Sequence, residues 1–190
     1  MALDGDGIWY VAYGSNLWGD RLQRYLDLVS PVARPMESRA MRLDHRLFFA
    51  HESQRWGGGT AFVDPTPDPG ARTRATAWRL RPDQFLGVLA GENGRTSVEL
   101  GLDDLPTRTG TSRRVLDARY GLVLTVPSPD DRPAWTVTTP EVPLPSPTRP
   151  VRAYVDAIVT GLVAGHGLSD DAARGYLGER GGTPTDDGLA

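Results

Sequence analysis

The segment Ile8–Leu17 reads IWYVAYGSNL and decides the fold, because it joins an apolar strand to a helix through a tight turn. Its first part, residues 8–13, is rich in aromatic and β-branched side chains, which is typical of a buried strand. Gly14-Ser15-Asn16 then supplies residues that favour turns and tolerate unusual backbone angles. Because the first N–H groups after such a turn have no partner, we expect them to converge into an anion or oxyanion site. Taken alone, the local chemistry favours an ordinary strand-to-helix turn capped by Ser15 or Asn16.

Apolar patterns beyond this segment predict a mixture of helices and strands. Apolar side chains recur at helical spacing from Leu17 to Val29, and Pro31 ends that helix. Three glycines at 57–59 permit close backbone approach, and the five prolines of 140–150 predict an extended, stiff segment. The last two strands are expected to form an antiparallel hairpin. The other predicted elements are strands at 43–50, 60–63, 73–80, 115–116, 120–126 and 134–138, and helices that begin at Pro82, Val151 and Ser169.

Length and composition bound the class of protein. With 190 residues, 39% hydrophobic and 24% charged, the chain predicts one globular domain, placed at 1–180 with a loose tail at 181–190. A formal net charge of -3 argues against a nucleic-acid partner. Cysteine is absent and all 21 basic residues are Arg, which excludes disulfides, thiolate nucleophiles and Schiff-base lysines. No apolar run reaches membrane-spanning length and the acidic start lacks a secretory pattern, so we expect a cytoplasmic protein without a membrane partner. The oligomeric state is unknown.

Five consecutive residues, Tyr13 to Leu17, together with Arg21-Leu22, form a recognisable signature. They closely resemble the signature of the γ-glutamylcyclotransferase-like family. Segments 46–50 and 56–62 resemble the second and third strands of a bacterial branch, some members of which carry a histone-deacetylase label. The similarity covers most of residues 8–165 and implies an α+β fold, a small mixed β-barrel with peripheral helices. It also implies that the substrate-binding residues include Tyr13, Gly14, Ser15, Asn16 and Leu17.

The family resemblance makes Glu92 the candidate catalytic residue. In family members the catalytic glutamate follows a short helix and directly precedes a glycine, whereas here Asn93 stands between Glu92 and Gly94. One carboxylate takes a proton from the substrate's α-amino group and returns it to the leaving amine. The amine attacks the γ-carbonyl of a γ-glutamyl amide, which releases 5-oxoproline and a free amine. Because the nucleophile belongs to the substrate, we expect neither a metal nor a cofactor.

Other side chains near these segments leave alternatives open. Glu52 is a second acid, for which we expect an ion pair with Arg55 or Arg46 rather than catalysis. Tyr120 stands where family members have a tyrosine that contacts the substrate. Trp56 either lines the pocket or fills the core beside a β-bulge.

The partner that the sequence predicts is a small γ-glutamyl substrate, and three functions remain open. The chain is an amide-cyclising enzyme, a catalytically inactive module that binds a small carboxylate, or an amide hydrolase that uses water. In the hydrolase, Glu92 or a histidine would be the base. A second alternative for the hydrolase is a Ser/His/Asp triad that forms only when the chain folds. The histidines at 45, 51 and 166 have no metal-ligand spacing, so no metal residues are assigned.

Overall fold

The computed structural model describes residues 7–185 of the chain. Within them, eight strands and four α-helices form the fold. The strands are β1 (Ile8–Ala12), β2 (Glu37–Leu43), β3 (His45–Glu52), β4 (Gly59–Pro67), β5 (Thr73–Leu80), β6 (Ser112–Arg114), β7 (Leu122–Thr125) and β8 (Ala134–Thr138). The helices are α1 (Gly19–Val29), α2 (Pro82–Glu92), α3 (Arg152–His166) and α4 (Asp170–Gly178), and two 3-10 turns span Ser15–Leu17 and Leu102–Asp104.

Six strands form one open sheet with the order β2-β5-β1-β8-β7-β6, and β3 pairs with β4 in a separate hairpin. β1 is central, antiparallel to β5 and parallel to β8. The α+β class and the β7–β8 hairpin are confirmed. The expected β-barrel is wrong, because β2 and β6 are the two edges of the sheet and do not pair with each other. β6 has only three residues, all exposed, and is too short to continue the sheet around a closed circuit.

The sequence predicted one strand at 43–50, where the structure has two. β3 accounts for most of that stretch, and β2 precedes it and ends at Leu43. β2 lies at the edge of the sheet and is mostly exposed, with charged side chains at Glu37, Arg39 and Arg42. An exposed edge strand carries no apolar alternation, so the hydrophobic pattern gave no signal for it. The strand predicted at 115–116 is instead β6, just before it.

Two hydrophobic cores lie on opposite faces of β1, as the alternation of side chains along a strand requires. Trp9 and Val11 belong to the core that packs beneath α3 and α4. Ile8, Tyr10 and Ala12 belong to the core shared with α1 and α2. All five residues of β1 are therefore buried, and the strand holds the start of the following turn rigidly between two layers.

The glycines at 57–59 let the proline-rich segment approach β4 closely, as expected. The Gly59 N–H donates to the Arg149 carbonyl over 2.8 Å, and a Cβ at Gly59 would lie 2.0 Å from the Thr148 carbonyl oxygen. The Thr148 N–H in turn donates to the Phe49 carbonyl over 2.9 Å. This packing attaches the segment before α3 to the β3–β4 hairpin.

The predicted tail at 181–190 is described as far as Thr185. The Gly182 N–H donates to the Leu177 carbonyl and the Thr185 N–H to the Pro150 carbonyl, over 2.8 and 3.0 Å. Residues 186–190 lie outside the described residues, as do residues 1–6 of the predicted domain. Across 7–185, no helix has the length and apolar character needed to cross a membrane.

Candidate active site

The turn after β1 is a single 3-10 turn that leads directly into α1. The N–H groups of Leu17 and Trp18 bond back to the carbonyls of Gly14 and Ser15, over 3.0 and 3.2 Å. No side chain caps either this turn or α1, so the alternative of a turn capped by Ser15 or Asn16 is wrong. The side chain of Asn16 is instead directed at another part of the chain.

Gly14 is required by a close contact and not by its backbone angles. Its φ is -108°, so the left-handed conformation that a glycine here could have adopted is not used. A Cβ at this position would lie 3.0 Å from the Tyr154 hydroxyl and 3.3 Å from the Ala61 Cβ. On the other side of the turn, a Cβ at Gly161 of α3 would lie 2.5 Å from the Leu17 carbonyl carbon. The turn is therefore held between β4 and α3 with no room for added atoms.

Folding brings Glu92 against this turn. Glu92 is the last residue of α2, and its Oε1 accepts a hydrogen bond of 2.6 Å from Asn16 Nδ2. Asn93, which departs from the family pattern, follows as the C-terminal cap of the helix. Its Nδ2 donates to the carbonyls of Leu89 and Tyr120, and its Oδ1 accepts the Tyr120 N–H. Asn93 thus fixes the end of α2 to the segment before β7, and Glu92 keeps a defined position.

The other oxygen of Glu92 faces the Tyr25 hydroxyl, which two arginines bind. The Tyr25 hydroxyl accepts bonds from Arg21 Nη2 and Arg55 Nη1, over 2.9 and 3.1 Å, and lies 3.3 Å from Glu92 Oε2. With both lone pairs occupied, its one proton is directed at the carboxylate. Desolvation raises the pKa of Glu92 above its ordinary value, and Arg21, Tyr25, Arg55 and Asn16 oppose that rise. Burial also raises the pKa of Tyr25 well above its ordinary range, so the phenol stays protonated.

Glu92 stands where an open pocket meets a narrow recess. The pocket has a volume of about 460 Å³, and its walls come from the turn, α1, the β3–β4 loop, the end of α2 and the segment before β7. The recess, about 20 Å³, lies beneath it. Residues shared by both are Ser15, Glu92, Tyr120 and Tyr154. Glu92 therefore lies beside ligand atoms in either cavity.

The other residues predicted to bind substrate take different positions. Trp56 lines the pocket, with its ring centroid 5.1 Å from that of Tyr154. Tyr120 lines both cavities, and its hydroxyl donates to the Ala61 carbonyl over 3.0 Å. Tyr13 lines the recess and donates to the Val137 carbonyl over 2.6 Å. Leu17 is buried in the core beneath α3 and lines neither cavity, so its packing supports the turn.

The ion pair expected for Glu52 is wrong. Arg46 pairs instead with Asp64 over 3.0 Å, and Arg55 donates to Tyr25. Glu52 is exposed at the rim of the pocket, and its backbone carbonyl accepts a bond from Arg119.

No histidine approaches Ser15 to form a triad. His45 Nδ1 lies 2.7 Å from the Asp64 carbonyl, His51 lies beside Glu141, and His166 lies near Arg74. Within residues 7–185 there is also no group of three or more His, Asp or Glu side chains placed to hold a metal ion.

Sequence reasoning did not assign Arg21, Tyr25 or Tyr154 to the site. Arg21 and Tyr25 are four residues apart on the buried face of α1, and two polar side chains at that spacing on a buried face were an available signal. Tyr154 lies among apolar residues of α3, and its hydroxyl accepts the Ala61 N–H over 3.0 Å. Nothing in its sequence context distinguishes it from a core tyrosine.

Comparison with known proteins shows which fold this is. A solved structure of gamma-glutamyl cyclotransferase superposes with a TM-score of 0.63 at 20% identity, covering 97% of this chain and 92% of that one. An uncharacterized protein from Homo sapiens gives 0.60 at 18% identity over 96% and 91%, and YkqA from Bacillus subtilis gives 0.50 at 17% over 95% and 56%. The resemblance inferred from the sequence is thus confirmed as a shared fold.

Sequence comparison adds one curated relative. Histone deacetylase 5 of Arabidopsis thaliana is 29% identical over 201 residues. The match includes 90% of this chain but only 30% of that protein, so the chain spans less than a third of the relative's length. No protein-family model matches the chain.

Proposed function

We propose that this chain, which has the fold of gamma-glutamyl cyclotransferase, cleaves a γ-glutamyl amide or amine conjugate by intramolecular aminolysis, without a metal. The products are 5-oxoproline and the free amine. The observation that carries the proposal is the position of Glu92, hydrogen-bonded to Asn16 of the turn at the boundary between the pocket and the recess. A carboxylate in this place is held by the Asn16 side chain of the turn and faces ligand atoms in the pocket.

Glu92 acts as base and then as acid. Its carboxylate takes a proton from the substrate's α-ammonium group, and the free amine attacks the γ-carbonyl carbon to form the new C–N bond. As the original C–N bond breaks, Glu92 returns the proton to the departing amine. A raised pKa makes the Glu92 carboxylate a stronger base than an ordinary glutamate. The hydrogen bonds from Asn16 and Tyr25 hold the carboxylate in one orientation throughout.

The recess under the turn accommodates the carbonyl oxygen during the attack. A volume of 20 Å³ is enough for about one water-sized group. Gly14 and Ser15 line it, and backbone N–H groups at the start of a helical turn have no partner within that turn. Such donors stabilise the negative charge that develops on the oxygen. Because attack is intramolecular, the site has only to hold the substrate folded and stabilise this charge.

The reaction is tested by measuring both candidate products. A panel of γ-glutamyl amino acids, glutathione and γ-glutamyl amines is incubated with the protein, and 5-oxoproline and glutamate are quantified by mass spectrometry. Incubations without protein and with Glu92→Gln correct for spontaneous cyclisation. Formation of 5-oxoproline that depends on Glu92 is the expected result. Free glutamate would support the hydrolase instead, and binding without either product would support the inactive carboxylate-binding module.

A further inference from the structure

Arg21 is a buried cation that forms no direct ion pair with any described residue. Its side chain is only 3% exposed. Of the five N–H groups of the guanidinium, one donates to a protein acceptor, the Tyr25 hydroxyl, and the buried Nε has no acceptor. The Glu92 carboxylate, across the Tyr25 hydroxyl, attracts this cation but makes no direct bond to it. A buried donor without an acceptor is costly, so the unpaired Nε indicates a ligand that supplies one.

Two aromatic rings hold the guanidinium in place. Its central carbon lies 4.7 Å from the Tyr25 ring centroid and 5.7 Å from that of Trp56. Arg21 also lines the 460 Å³ pocket, so ligand atoms in the pocket reach it. A stacked, planar guanidinium with free donors matches the two oxygens of a carboxylate.

Arg21 lies next to the candidate base. Its Nη2 and Glu92 Oε2 are both hydrogen-bonded to the same Tyr25 hydroxyl, at 2.9 and 3.3 Å. In the proposed reaction the substrate's α-amino group contacts Glu92, and the α-carboxylate is attached to the same carbon atom as that amine. With the amine on Glu92, the α-carboxylate is therefore within reach of Arg21.

We propose that Arg21 binds the α-carboxylate of the γ-glutamyl group and makes the site selective for amides in which that carboxylate is free. This inference rests on the proposed function. Compounds whose α-carboxyl group is amidated, or that lack it, are then poor substrates whatever amine they carry. If Arg21 served only to hold Tyr25 and Glu92, its loss would affect all substrates alike.

The test pairs substrates with variants. kcat/KM is measured for L-γ-glutamyl-alanine and for the same compound with its glutamyl α-carboxylate converted to a carboxamide. We expect the parent protein to prefer the free carboxylate by about 30-fold or more, the range for loss of one partner from a buried charge pair. Arg21→Gln should bring the ratio of the two kcat/KM values close to one. The ratio is the readout because Arg21 also bonds Tyr25 beside Glu92, and that effect falls on both substrates alike. Arg24→Gln, an exposed arginine on the same helix, should leave the preference intact.

Equal losses on both substrates in Arg21→Gln, or no preference in the parent protein, would overturn the inference. The parent preference decides the matter if Arg21→Gln does not fold, and Arg21→Lys supplies a second variant. Calorimetric binding of 5-oxoproline and 2-pyrrolidinone, which lacks the carboxylate, separates this inference from the proposed function. If no amide is turned over, tighter binding of 5-oxoproline that is lost in Arg21→Gln still supports the carboxylate site. Equal or absent binding contradicts it.

Discussion

Glu92 is the residue on which the proposed chemistry depends, and its amide analogue tests it directly. Glu92→Gln keeps the shape of the side chain and an oxygen for the Asn16 hydrogen bond but cannot accept a proton. We expect kcat/KM for 5-oxoproline formation to fall about 10²-fold or more, as for loss of a general base. Steady-state kinetics on the best substrate of the panel measure the change. Activity equal to that of the parent would exclude Glu92 as the base and make Glu52, at the pocket rim, the next candidate.

The electrostatics around Glu92 predict where activity is lost in acid. Desolvation raises the pKa of Glu92, so its carboxylate becomes protonated, and inactive as a base, at a higher pH than an ordinary glutamate. In a plot of kcat/KM against pH, the fall on the acid side should therefore occur at a higher pH than for an ordinary glutamate. Arg55 opposes the rise, so Arg55→Gln should move this fall to still higher pH. Arg24→Gln serves as the control, and a fall that does not move in Arg55→Gln would show that Glu92 is not the titrating group.

At the scale of elements, activity should depend on the backbone conformation of the turn, which β1, β4 and α3 enclose, more than on the Ser15 hydroxyl. Ser15→Ala keeps every backbone N–H, so we expect a modest loss of kcat/KM. Gly14→Val places a branched side chain about 3 Å from the Tyr154 hydroxyl and against Ala61, so it should severely weaken substrate binding. Kinetics of the two variants, converted to transition-state free energies, give the comparison.

The opposite result has a distinct meaning. A loss in Ser15→Ala as large as that in Glu92→Gln would indicate a Ser15 nucleophile, and an acyl-enzyme detected by intact mass would support the hydrolase.

For the whole molecule, the desolvated carboxylate predicts how stability varies with pH. The pKa of Glu92 is higher in the folded protein than in the unfolded chain, so protonation of Glu92 stabilises the folded state. This contribution to the free energy of unfolding is present in full below the pKa of the unfolded chain. It is lost as pH rises through the pKa of the folded protein. Glu92→Gln should therefore have a higher Tm than the parent near neutral pH, and the difference should shrink below the ordinary glutamate range. Calorimetry across this pH range measures it, with the exposed Glu52→Gln as control. A lower Tm for Glu92→Gln near neutral pH would contradict this sign.

The proposed mechanism also predicts how the protein responds to chelation. Attack by the substrate's own amine needs neither a Lewis acid nor a metal-bound hydroxide. After exhaustive treatment with EDTA and removal of the chelator, 5-oxoproline formation should be unchanged. Activity that disappears on this treatment and returns with zinc would refute the metal-free reaction.

The sequence by itself determined the features that depend on neighbours along the chain. A continuous apolar run at 8–13, a Gly-Ser-Asn turn and helical spacing after it predicted β1, the turn and α1, because these patterns are local. The signature from Tyr13 to Leu17 predicted the fold that the solved structures confirm. Gly58 and Gly59 predicted the close backbone approach. The edge strand β2 left no such pattern, since exposed strands have no buried face.

Only the tertiary structure decided what surrounds the candidate base. Asn16 and Glu92 are 76 residues apart, and their 2.6 Å contact depends on how α2 packs against α1. A Cβ at Gly91 would lie 2.2 Å from the Tyr25 ring, so that packing also sets the distance between Tyr25 and Glu92. Whether the sheet closes into a barrel likewise depends on which strands pair at long range, and β2 and β6 do not pair. Burial, the raised pKa of Glu92 and the unpaired Nε donor of Arg21 depend on atoms distant in sequence, and no local pattern contains them.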